Sequence, residues 1–407
     1  MTKANKDVLF LCQFFYPEHN TSATLPFDTA KYLCDKGLSV SALVGYPKEY
    51  AFGSEVKSHE IVNGVEINRI KYLQLNRSGK IGRLINYFSF TIHSFLNLKR
   101  IKNNRAVIVY SNPPVLPIVP IIAKKIYGTK IVFVAYDIYP EVAFASHSLS
   151  EKGVISRTMR VINHYLYKNA DCVIALTEEM KCFLLDTRKE LTPDRIITIP
   201  NWAHEKEYKC TREAYERFGY DERHFIVSYF GNMGICQDIE TMMKAAECLK
   251  NDERIRFLIV GHGSKKNYIH NWIKEKDLKN VQLLDFLIGE DFQKAVSISS
   301  CTIVSLERGL KGTCAPSKYY SYLQGGQPII AIVEPDSYIA EELKTERIGY
   351  SVDIGDEQAL KAVIIKMANN KDECEGMGER AKELYRRKYD MCISLDKYVN
   401  AIHNILR

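Results

Sequence analysis

Two short stretches in the second half of the chain carry residue types that can bind an anion. The first runs from Gly231 through Asn232 and Met233 to Gly234 and follows the apolar run 226–230. Glycines at such a turn let backbone N–H groups approach a phosphate at the start of a helix. The turn matches neither a dinucleotide fingerprint nor a Walker A loop. Taken alone, it fits a tight structural turn as well as a phosphate site.

The second stretch, around Ser317 and Lys318, is more specific. Ser317 can cap a helix whose first N–H groups are free for an anion, and Lys318 adds a positive charge there. A lysine in the first turn opposes the helix dipole, so the pattern favours a bound phosphate over a merely well-capped core helix. The helix should end at Gly325 and Gly326, and Pro328 should open a buried strand.

Short, continuous apolar runs separated by helix-length amphipathic stretches must position these residues. Continuous rather than alternating apolar runs predict parallel strands covered on both faces. The predicted strands are 8–12, 40–44, 107–111, 131–135, 172–176, 196–199, 226–230, 256–260, 281–284, 301–306 and 328–333. They divide around Pro200, which predicts an α/β chain with two Rossmann-like domains whose parallel sheets face each other across a cleft.

The domain boundaries follow from the same pattern. We expect a first domain over residues 1–200, a linker over 201–207 and a second domain over 208–385. A C-terminal helix over 386–407 would be free to pack back on the first domain. In this architecture, ligands bind at the carboxyl ends of the strands.

Composition excludes several classes of protein. Hydrophobic residues make up 46% and charged residues 26% of the 407, as in ordinary globular enzymes rather than disordered chains or rods. The 11 cysteines form no Cys-x-x-Cys pair, which favours reduced thiols in the cytoplasm. Neither a signal peptide nor a bilayer-spanning apolar run is apparent, so we expect a soluble or peripheral protein.

Positive charge is concentrated in the first half of the chain. Residues 1–200 carry 26 basic and 17 acidic residues, whereas the remainder carries 30 and 32. No acidic residue lies between Glu66 and Asp137, a stretch with twelve Lys or Arg. Two explanations of this stretch are equally good. It is either a solvated basic face or a functional surface for nucleic acid, an anionic membrane or a phosphate-bearing substrate.

An amphipathic helix is predicted inside this acid-free stretch, over residues 81–96. Its apolar residues, spaced by three and four, are Ile81, Leu84, Ile85, Phe88, Ile92, Phe95 and Leu96. The flanking basic residues are Lys80, Arg83, Lys99 and Arg100. The stripe fits packing on the first domain's sheet, but it also fits an anionic bilayer surface that Phe88 and the basic residues would face.

The order of these elements resembles the family 4 glycosyltransferases, which have the GT-B fold. It is most similar to bacterial enzymes of surface polysaccharide synthesis, such as the N-acetylfucosamine transferases. The resemblance covers almost the whole chain and rests on five weak motifs in the right order. They are Tyr16-Pro17-Glu18 with Asn20 to Ala23, Asp137 to Glu141, Ile199 to Trp202, Gly231 to Gly234, and Pro316-Ser317-Lys318 with Gly326-Gln327-Pro328.

The resemblance implies retaining transfer of a sugar from a nucleotide donor, most often UDP-linked, to a polyprenyl-linked saccharide. It implies no cofactor and no metal, because helix N-termini and basic side chains neutralise the diphosphate. The enzyme would be cytoplasmic and peripheral to the inner face of the cell membrane. The implied sites are Asp137 for catalysis; Gly231, Asn232, Met233, Gly234, Ser317 and Lys318 for the diphosphate; Thr313 and Ser321 for the donor sugar or nucleoside; and Asn20, Thr21, Ser22, Tyr136 and Glu141 for the acceptor. An equally good interpretation of Asp137 is a helix N-cap.

This sequence departs from the family at three places. The two glutamates that many members carry before the Gly-x-Pro turn correspond to Thr313 and Ser321. The basic pair after the first strand of the second domain corresponds to Asn232 and Gln237, and a usual histidine corresponds to Tyr136. These changes leave Lys318 with more of the phosphate charge to balance.

Two other functions remain open. A UDP-sugar epimerase with GT-B architecture would need acid, base and histidine groups that the sequence does not show convincingly. An inactive GT-B scaffold for a partner transferase is consistent with the missing glutamates. Nucleic acid is not an expected partner, because RNA-binding aromatic signatures and DNA-reading motifs are missing.

Overall fold

The structure, a computed structural model, describes residues 6–47, 56–75, 80–146 and 148–407. The chain forms two compact units. The first comprises residues 1–201, 312–315 and 392–407, and the second comprises 202–311 and 316–391. Both units are built on a mainly parallel sheet, so the predicted α/β fold class is confirmed.

Within the described residues, the first unit contains one eight-stranded sheet in the order β3-β4-β2-β1-β5-β6-β7-β8. Its strands are β1 Lys6–Cys12, β2 Val40–Gly45, β3 His59–Val62, β4 Val65–Ile70, β5 Asn104–Tyr110, β6 Lys130–Ala135, β7 Cys172–Ala175 and β8 Ile196–Thr198. All neighbouring pairs are parallel except β3 and β4. The central strands are buried throughout, which explains their continuous apolar sequence.

The antiparallel pair β3 and β4 was not predicted. The two strands are joined by Asn63 and Gly64, whose φ angles are 49° and 83°. A two-residue turn with positive φ at both positions matches the twist of a hairpin, and Asn-Gly is its strongest short signal. The signal was therefore present, but polar residues on the exposed β3 mask the apolar pattern of a strand.

Helices of the first unit cover the sheet. They are α1 Thr21–Asp35, α2 Lys80–Leu96, α3 Leu98–Ile101, α4 Ile118–Tyr127, α5 Glu141–Ala145, α6 Val154–Asn169 and α7 Glu178–Thr187. Phe90 of α2, Val119 of α4 and Leu166 of α6 share one core with Leu11 and Val109 of the sheet. No helix in the described part of the chain is both long and apolar enough to span a bilayer.

Helix α2 is confirmed at the predicted position. Its apolar stripe does not pack on the sheet, as one interpretation had it, but faces away from the core. The apolar residues Ile81, Ile85, Phe88, Ile92, Phe95 and Leu96 are between 36% and 76% exposed. The buried side of α2 is largely polar instead. Asn86 Oδ1 and Ser89 Oγ accept hydrogen bonds from the backbone N–H groups of Leu75 and Leu73, at 2.8 and 2.9 Å. The polar face of α2 thus accepts hydrogen bonds from residues 73 and 75, and its apolar face is exposed.

Within the described residues, the second unit contains a six-stranded parallel sheet in the order β11-β10-β9-β12-β13-β14. Its strands are β9 Phe225–Asn232, β10 Ile255–His262, β11 Val281–Leu284, β12 Cys301–Ser305, β13 Ile329–Ile332 and β14 Gly349–Val352. Its helices are α8 Arg212–Arg217, α9 Glu240–Cys248, α10 Lys266–Glu275, α11 Gly289–Ser297, α12 Lys318–Gly325, α13 Tyr338–Glu346, α14 Glu357–Ala368 and α15 Lys371–Leu384. Strand β14 was not predicted, because Tyr350 and Ser351 interrupt its apolar run.

The chain returns to the first unit at its end. A π-helical turn, Tyr385–Tyr389, leads from α15 to the last helix, α16 Met391–Leu406. Tyr32 of α1 donates a hydrogen bond to Asp396 Oδ1 at 2.7 Å, and Arg105 donates to the carbonyl of Leu406. Helix α16 therefore packs on the first unit.

Strands β9 and β10 approach each other very closely at their carboxyl ends. Gly231 and Gly261 are register partners with φ angles of 123° and 149°. A Cβ atom on Gly261 would lie 1.9 Å from the carbonyl oxygen of Gly231. Glycine is thus required at position 261, and the two following turns are held against each other.

We expect Gly261→Ala to lower the free energy of unfolding by about 2–4 kcal/mol, because a backbone clash adds to an unfavourable φ. Gly219→Ala is the matched control, since Gly219 has φ 75° and a Cβ atom there would meet no neighbouring atom within 4 Å. The control should cost about 1 kcal/mol. Urea unfolding measures both; equal losses would contradict the close approach.

Candidate active site

The turn after β9 presents fewer free N–H groups than the sequence suggested. The N–H of Met233 donates to the carbonyl of His262 at 2.7 Å, and the N–H of Gly234 donates to Gln237 Oε1 at 3.0 Å. These two groups, expected to bind a diphosphate, already have acceptors: the Met233 N–H ties the turn to the end of β10, and the Gly234 N–H is satisfied within its own turn. The Asn232 side chain is exposed and is the polar group that this turn offers to a ligand.

Lys318, the first residue of α12, lies directly beside this turn. Its Nζ donates a hydrogen bond to Tyr229 Oη at 2.5 Å, and a Cβ on Gly231 would lie 3.7 Å from Lys318 Cε. In the described part of the chain, no carboxylate is paired with this amine. Burial lowers the pKa of Lys318 to about 7. A half-buried amine without a counter-ion is suited to bind an anion.

Ser317 does not cap α12 in the way that the sequence predicted. It precedes the helix, but its side chain makes no capping hydrogen bond. The reason is its backbone, which has helical angles of φ −59° and ψ −27°, whereas a capping serine needs an extended conformation. Ser321 lies one turn after Lys318 and is half-buried.

In the first unit, Asp137 follows β6 and is tied down through its backbone. Its N–H donates to Ser111 Oγ at 3.0 Å, and it forms an isolated antiparallel bridge with Cys314. The next residue, Ile138, donates to the carbonyl of Thr313 at 2.8 Å. Thr313 is therefore buried beside Asp137 in the first unit, although the sequence assigned it to the donor in the second domain.

Among the described residues, no hydrogen bond or ion pair holds the Asp137 carboxyl in the way that its backbone is held. Helix α5 begins at Glu141 and its preceding residue is Pro140, so the N-cap interpretation of Asp137 is wrong. Burial raises the pKa of Asp137 to about 6. A small cavity adjoins it, lined by Ser111, Pro114, Pro117, Phe133, Asp137, Tyr139, Asn163 and Tyr167. A carboxyl group with this pKa can take up or release a proton near neutral pH.

The residues expected on the acceptor side are placed differently from one another. Asn20 precedes α1 without capping it, while Thr21 is exposed and Ser22 half-buried in its first turn. Tyr136 packs its ring against Tyr110, with centroids 5.0 Å apart. Both carboxylate oxygens of Glu141 accept from the Arg188 guanidinium at 2.7 Å. Glu141 is therefore neutralised inside the protein.

Three further polar residues near the strand ends were not predicted from the sequence. Ser111 supports Asp137, and Tyr229 contacts Lys318. Gln13, directly after β1, is 1% exposed, and neither polar atom of its amide has a hydrogen-bond partner among the described residues. Ser111 and Gln13 stand just beyond the carboxyl end of a buried apolar strand, a signal that could have found them, whereas Tyr229 lies inside β9.

Residues 211–384 match the family described as "Glycosyl transferases group 1". The matching stretch resembles a group 1 glycosyltransferase domain. It includes the turn after β9, α12 and Lys318. Lys318, with which no carboxylate among the described residues is paired, thus lies in the stretch that matches this family.

Known proteins resemble the chain beyond this stretch. "Probable glycosyltransferase WbjE" of Pseudomonas aeruginosa is 23% identical over 340 residues, covering 83% of this chain and 84% of that protein. Sucrose-phosphate synthase from Thermosynechococcus elongatus superposes with a TM-score of 0.78 at 14% identity, over 98% and 99% of the two chains. Anabaena Alr3699/HepE, solved in complex with UDP, gives 0.72 at 16% identity, over 98% and 100%. These structures show a shared fold, and the expected GT-B fold class is confirmed.

We expect Asp137→Asn to stabilise the protein at pH 7.5 by about 1 kcal/mol, because the native carboxylate is charged there in a poorly hydrated place. The raised pKa means that the native state binds this proton more tightly than the unfolded state. The stability that this bound proton gives the native state is fully present below about pH 4 and is lost as the pH rises through about 6. The advantage of the variant should therefore vanish in acid.

Thermal melting from pH 4 to pH 8 measures this difference. Asp171→Asn is the control of opposite sign, because Asp171 pairs with Lys124 at 2.6 Å and accepts from the N–H of Ile131 at 2.8 Å. That variant should be less stable at pH 7.5. If Asp137→Asn also loses stability there, the carboxyl is structural.

Proposed function

We propose that this protein is a retaining glycosyltransferase of bacterial surface polysaccharide synthesis. It would move a sugar from a UDP-linked donor to a polyprenyl-linked saccharide, with the donor on the second unit and the acceptor on the first. The observation that carries the proposal is Lys318, whose amine lies beside the turn after β9 with no paired carboxylate among the described residues. It lies within the stretch that matches the group 1 glycosyltransferases. The UDP bound by Alr3699/HepE, which shares the fold, supports the choice of nucleotide.

The chemistry requires stabilisation of a leaving diphosphate. The bond between the sugar C1 and the phosphate oxygen breaks, the acceptor oxygen bonds to C1 from the same face, and its proton passes to the departing phosphate. Negative charge grows on the diphosphate as the bond breaks, so fixed donors aimed at it lower the barrier. Lys318 and the Asn232 amide are assigned this task. No metal ion is included, and Asp137 is assigned to the sugar and the attacking hydroxyl.

A reaction assay separates this function from its alternatives. The full chain is incubated with UDP-sugars, with and without a polyprenyl-linked saccharide. Acceptor-dependent release of UDP with a glycosylated product supports transfer, and conversion of one UDP-sugar into another supports an epimerase. Absence of both reactions and of UDP binding supports a scaffold and overturns the proposal.

We expect Lys318→Ala to weaken UDP binding by about 2–3 kcal/mol, the size of a charge-assisted contact. Calorimetry on folded protein measures the dissociation constant, and turnover should fall in parallel. Lys250→Ala, at an exposed position of the same unit, is the control and should bind UDP like the unaltered protein. An unchanged constant for Lys318→Ala would remove Lys318 from the site.

The exposed apolar face of α2 supports action at a membrane surface, where a polyprenyl-linked acceptor resides. Arg83, Lys99 and Arg100 are exposed beside this face; the side chain of Lys80 lies outside the described residues. A helix that presents Phe88, Phe95 and Ile92 between basic residues has the composition of an interfacial anchor on anionic lipid. We therefore place the enzyme peripherally on the cytoplasmic face of the cell membrane.

Replacing Arg83, Lys99 and Arg100 by Glu should remove at least about 3 kcal/mol of vesicle affinity, or roughly 150-fold, since each basic residue contributes about 1 kcal/mol. Co-sedimentation with anionic and neutral vesicles measures it, and binding should weaken with added salt. The control variant replaces the exposed Lys250, Lys274 and Lys279 of the second unit by Glu, which changes the net charge by the same amount. Failure of the unaltered protein to bind anionic vesicles at low salt would refute the membrane surface.

A further inference from the structure

Tyr229 connects the two parts of the proposed donor site. It is fully buried in β9, with its ring in the core of the second unit. Its hydroxyl donates to the carbonyl of Asn232 at 2.7 Å and accepts from Lys318 Nζ at 2.5 Å. One oxygen atom thus joins the turn after β9 to the amine at the start of α12.

The direction of these hydrogen bonds is fixed by the chemistry of the groups. A tyrosine hydroxyl has one hydrogen, and the Asn232 carbonyl can only accept, so the hydrogen points to that carbonyl. The hydroxyl oxygen is then left to accept from Lys318. Burial raises the pKa of Tyr229 well above its ordinary value, so the hydroxyl stays neutral and does not become the missing counter-ion.

The ring of Tyr229 also contacts the amine. Lys318 Nζ lies 3.8 Å from the ring centroid, within the range of a cation–π interaction. Tyr229 is the titratable group that faces the amine from β9, and desolvation is the influence that lowers the pKa of Lys318. The tyrosine therefore stabilises the ammonium in place without cancelling its charge.

We propose that Tyr229 is a positioning residue for the donor diphosphate, because it holds Lys318 Nζ beside Gly231 and Asn232 before the donor binds. This inference rests on the proposed function, which assigns the diphosphate to Lys318. An ammonium has three hydrogens, so one bond to Tyr229 leaves two for phosphate oxygens. A lysine side chain otherwise loses considerable rotamer entropy on binding, and fixing it in advance lowers that cost.

A neighbouring tyrosine shows that a buried tyrosine in this part of the core need not contact Lys318. Tyr322 of α12 is also buried, and its hydroxyl accepts from the N–H of Phe230 at 3.0 Å and lies 3.3 Å from the carbonyl of the same residue. Within the described part of the chain, its oxygen has no bond to Lys318. Tyr229 and Tyr322 thus have similar burial and backbone bonding, but Tyr229 also contacts the amine.

The test compares Tyr229→Phe with Tyr322→Phe in the full chain, each checked by thermal melting. We expect Tyr229→Phe to weaken UDP binding about tenfold, and Tyr322→Phe to leave it within about twofold. Affinity should fall as the pH rises past the value at which Lys318 loses its proton. That fall should begin at lower pH in Tyr229→Phe, because the amine has lost an acceptor that favours its charged form.

The decisive comparison adds Lys318→Ala. If Tyr229 acts through the amine, Tyr229→Phe has no further effect on UDP affinity in the Lys318→Ala background. An equal loss in both backgrounds would mean that Tyr229 acts through the fold, and the inference would be wrong. If Lys318→Ala itself leaves UDP affinity unchanged, the proposed donor site fails. If only Tyr229→Phe is without effect, the positioning role alone fails.

A milder replacement covers the case in which Tyr229→Phe melts too early for binding studies. A 3-fluorotyrosine placed at position 229 keeps the ring and the hydroxyl but makes the oxygen a weaker acceptor. It should shift the fall in UDP affinity to lower pH in the same direction as Tyr229→Phe. A pH profile identical to that of the unaltered protein would overturn the inference.

Discussion

The proposed donor site depends on Lys318, a cation that is shielded from water and has no paired carboxylate among the described residues. Taking an ammonium out of water costs several kcal/mol unless a partner or a bound ligand compensates it. At Lys318 the compensation within the chain is partial, consisting of one hydroxyl and one aromatic face. Gly231, which packs closely against Gly261 of β10, also lies beside this amine, since a Cβ atom at position 231 would be 3.7 Å from Lys318 Cε.

The backbone N–H groups of Met233 and Gly234 are not available to this proposed site. In many phosphate-binding turns the N–H groups supply the positive field. Here Met233 and Gly234 use theirs to hold the turn against the next strand and against Gln237. The turn therefore supports Asn232 and lies beside Lys318, and under the proposed function these two side chains supply the charge and the hydrogen-bond donors.

Much of the fold could be predicted from the sequence, because buried parallel strands leave continuous apolar runs. Every predicted strand is present, and the ones that were missed carry polar residues, as in His59–Val62 and Gly349–Val352. The exposure of α2 could not be predicted. Its spacing gives an amphipathic helix in either orientation, and only the contacts of Asn86 and Ser89 with residues 73–75 show which face is inside.

The candidate site was harder to predict, because its parts are joined across long stretches of chain. Lys318 was recognised from its local sequence, but Tyr229 lies 89 residues away and has the apolar neighbours of an ordinary core residue in a strand. The position of Thr313 was missed for a related reason. Residues 312–315 return to the first unit between two stretches of the second, and no local pattern indicates a bridge from Cys314 to Asp137.

The serine at position 321 is consistent with the state of Lys318. Residues three apart on a helix are neighbours, so a carboxylate at position 321 would lie within reach of the amine. Such a carboxylate would raise the pKa of Lys318 and neutralise the charge of the ammonium within the protein. With Ser321 in its place, the amine has no paired carboxylate among the described residues, and under the proposed function the donor diphosphate compensates its charge. The replacement of the family's glutamate by Ser321, which is also consistent with an inactive scaffold, thus favours binding of an anion at Lys318.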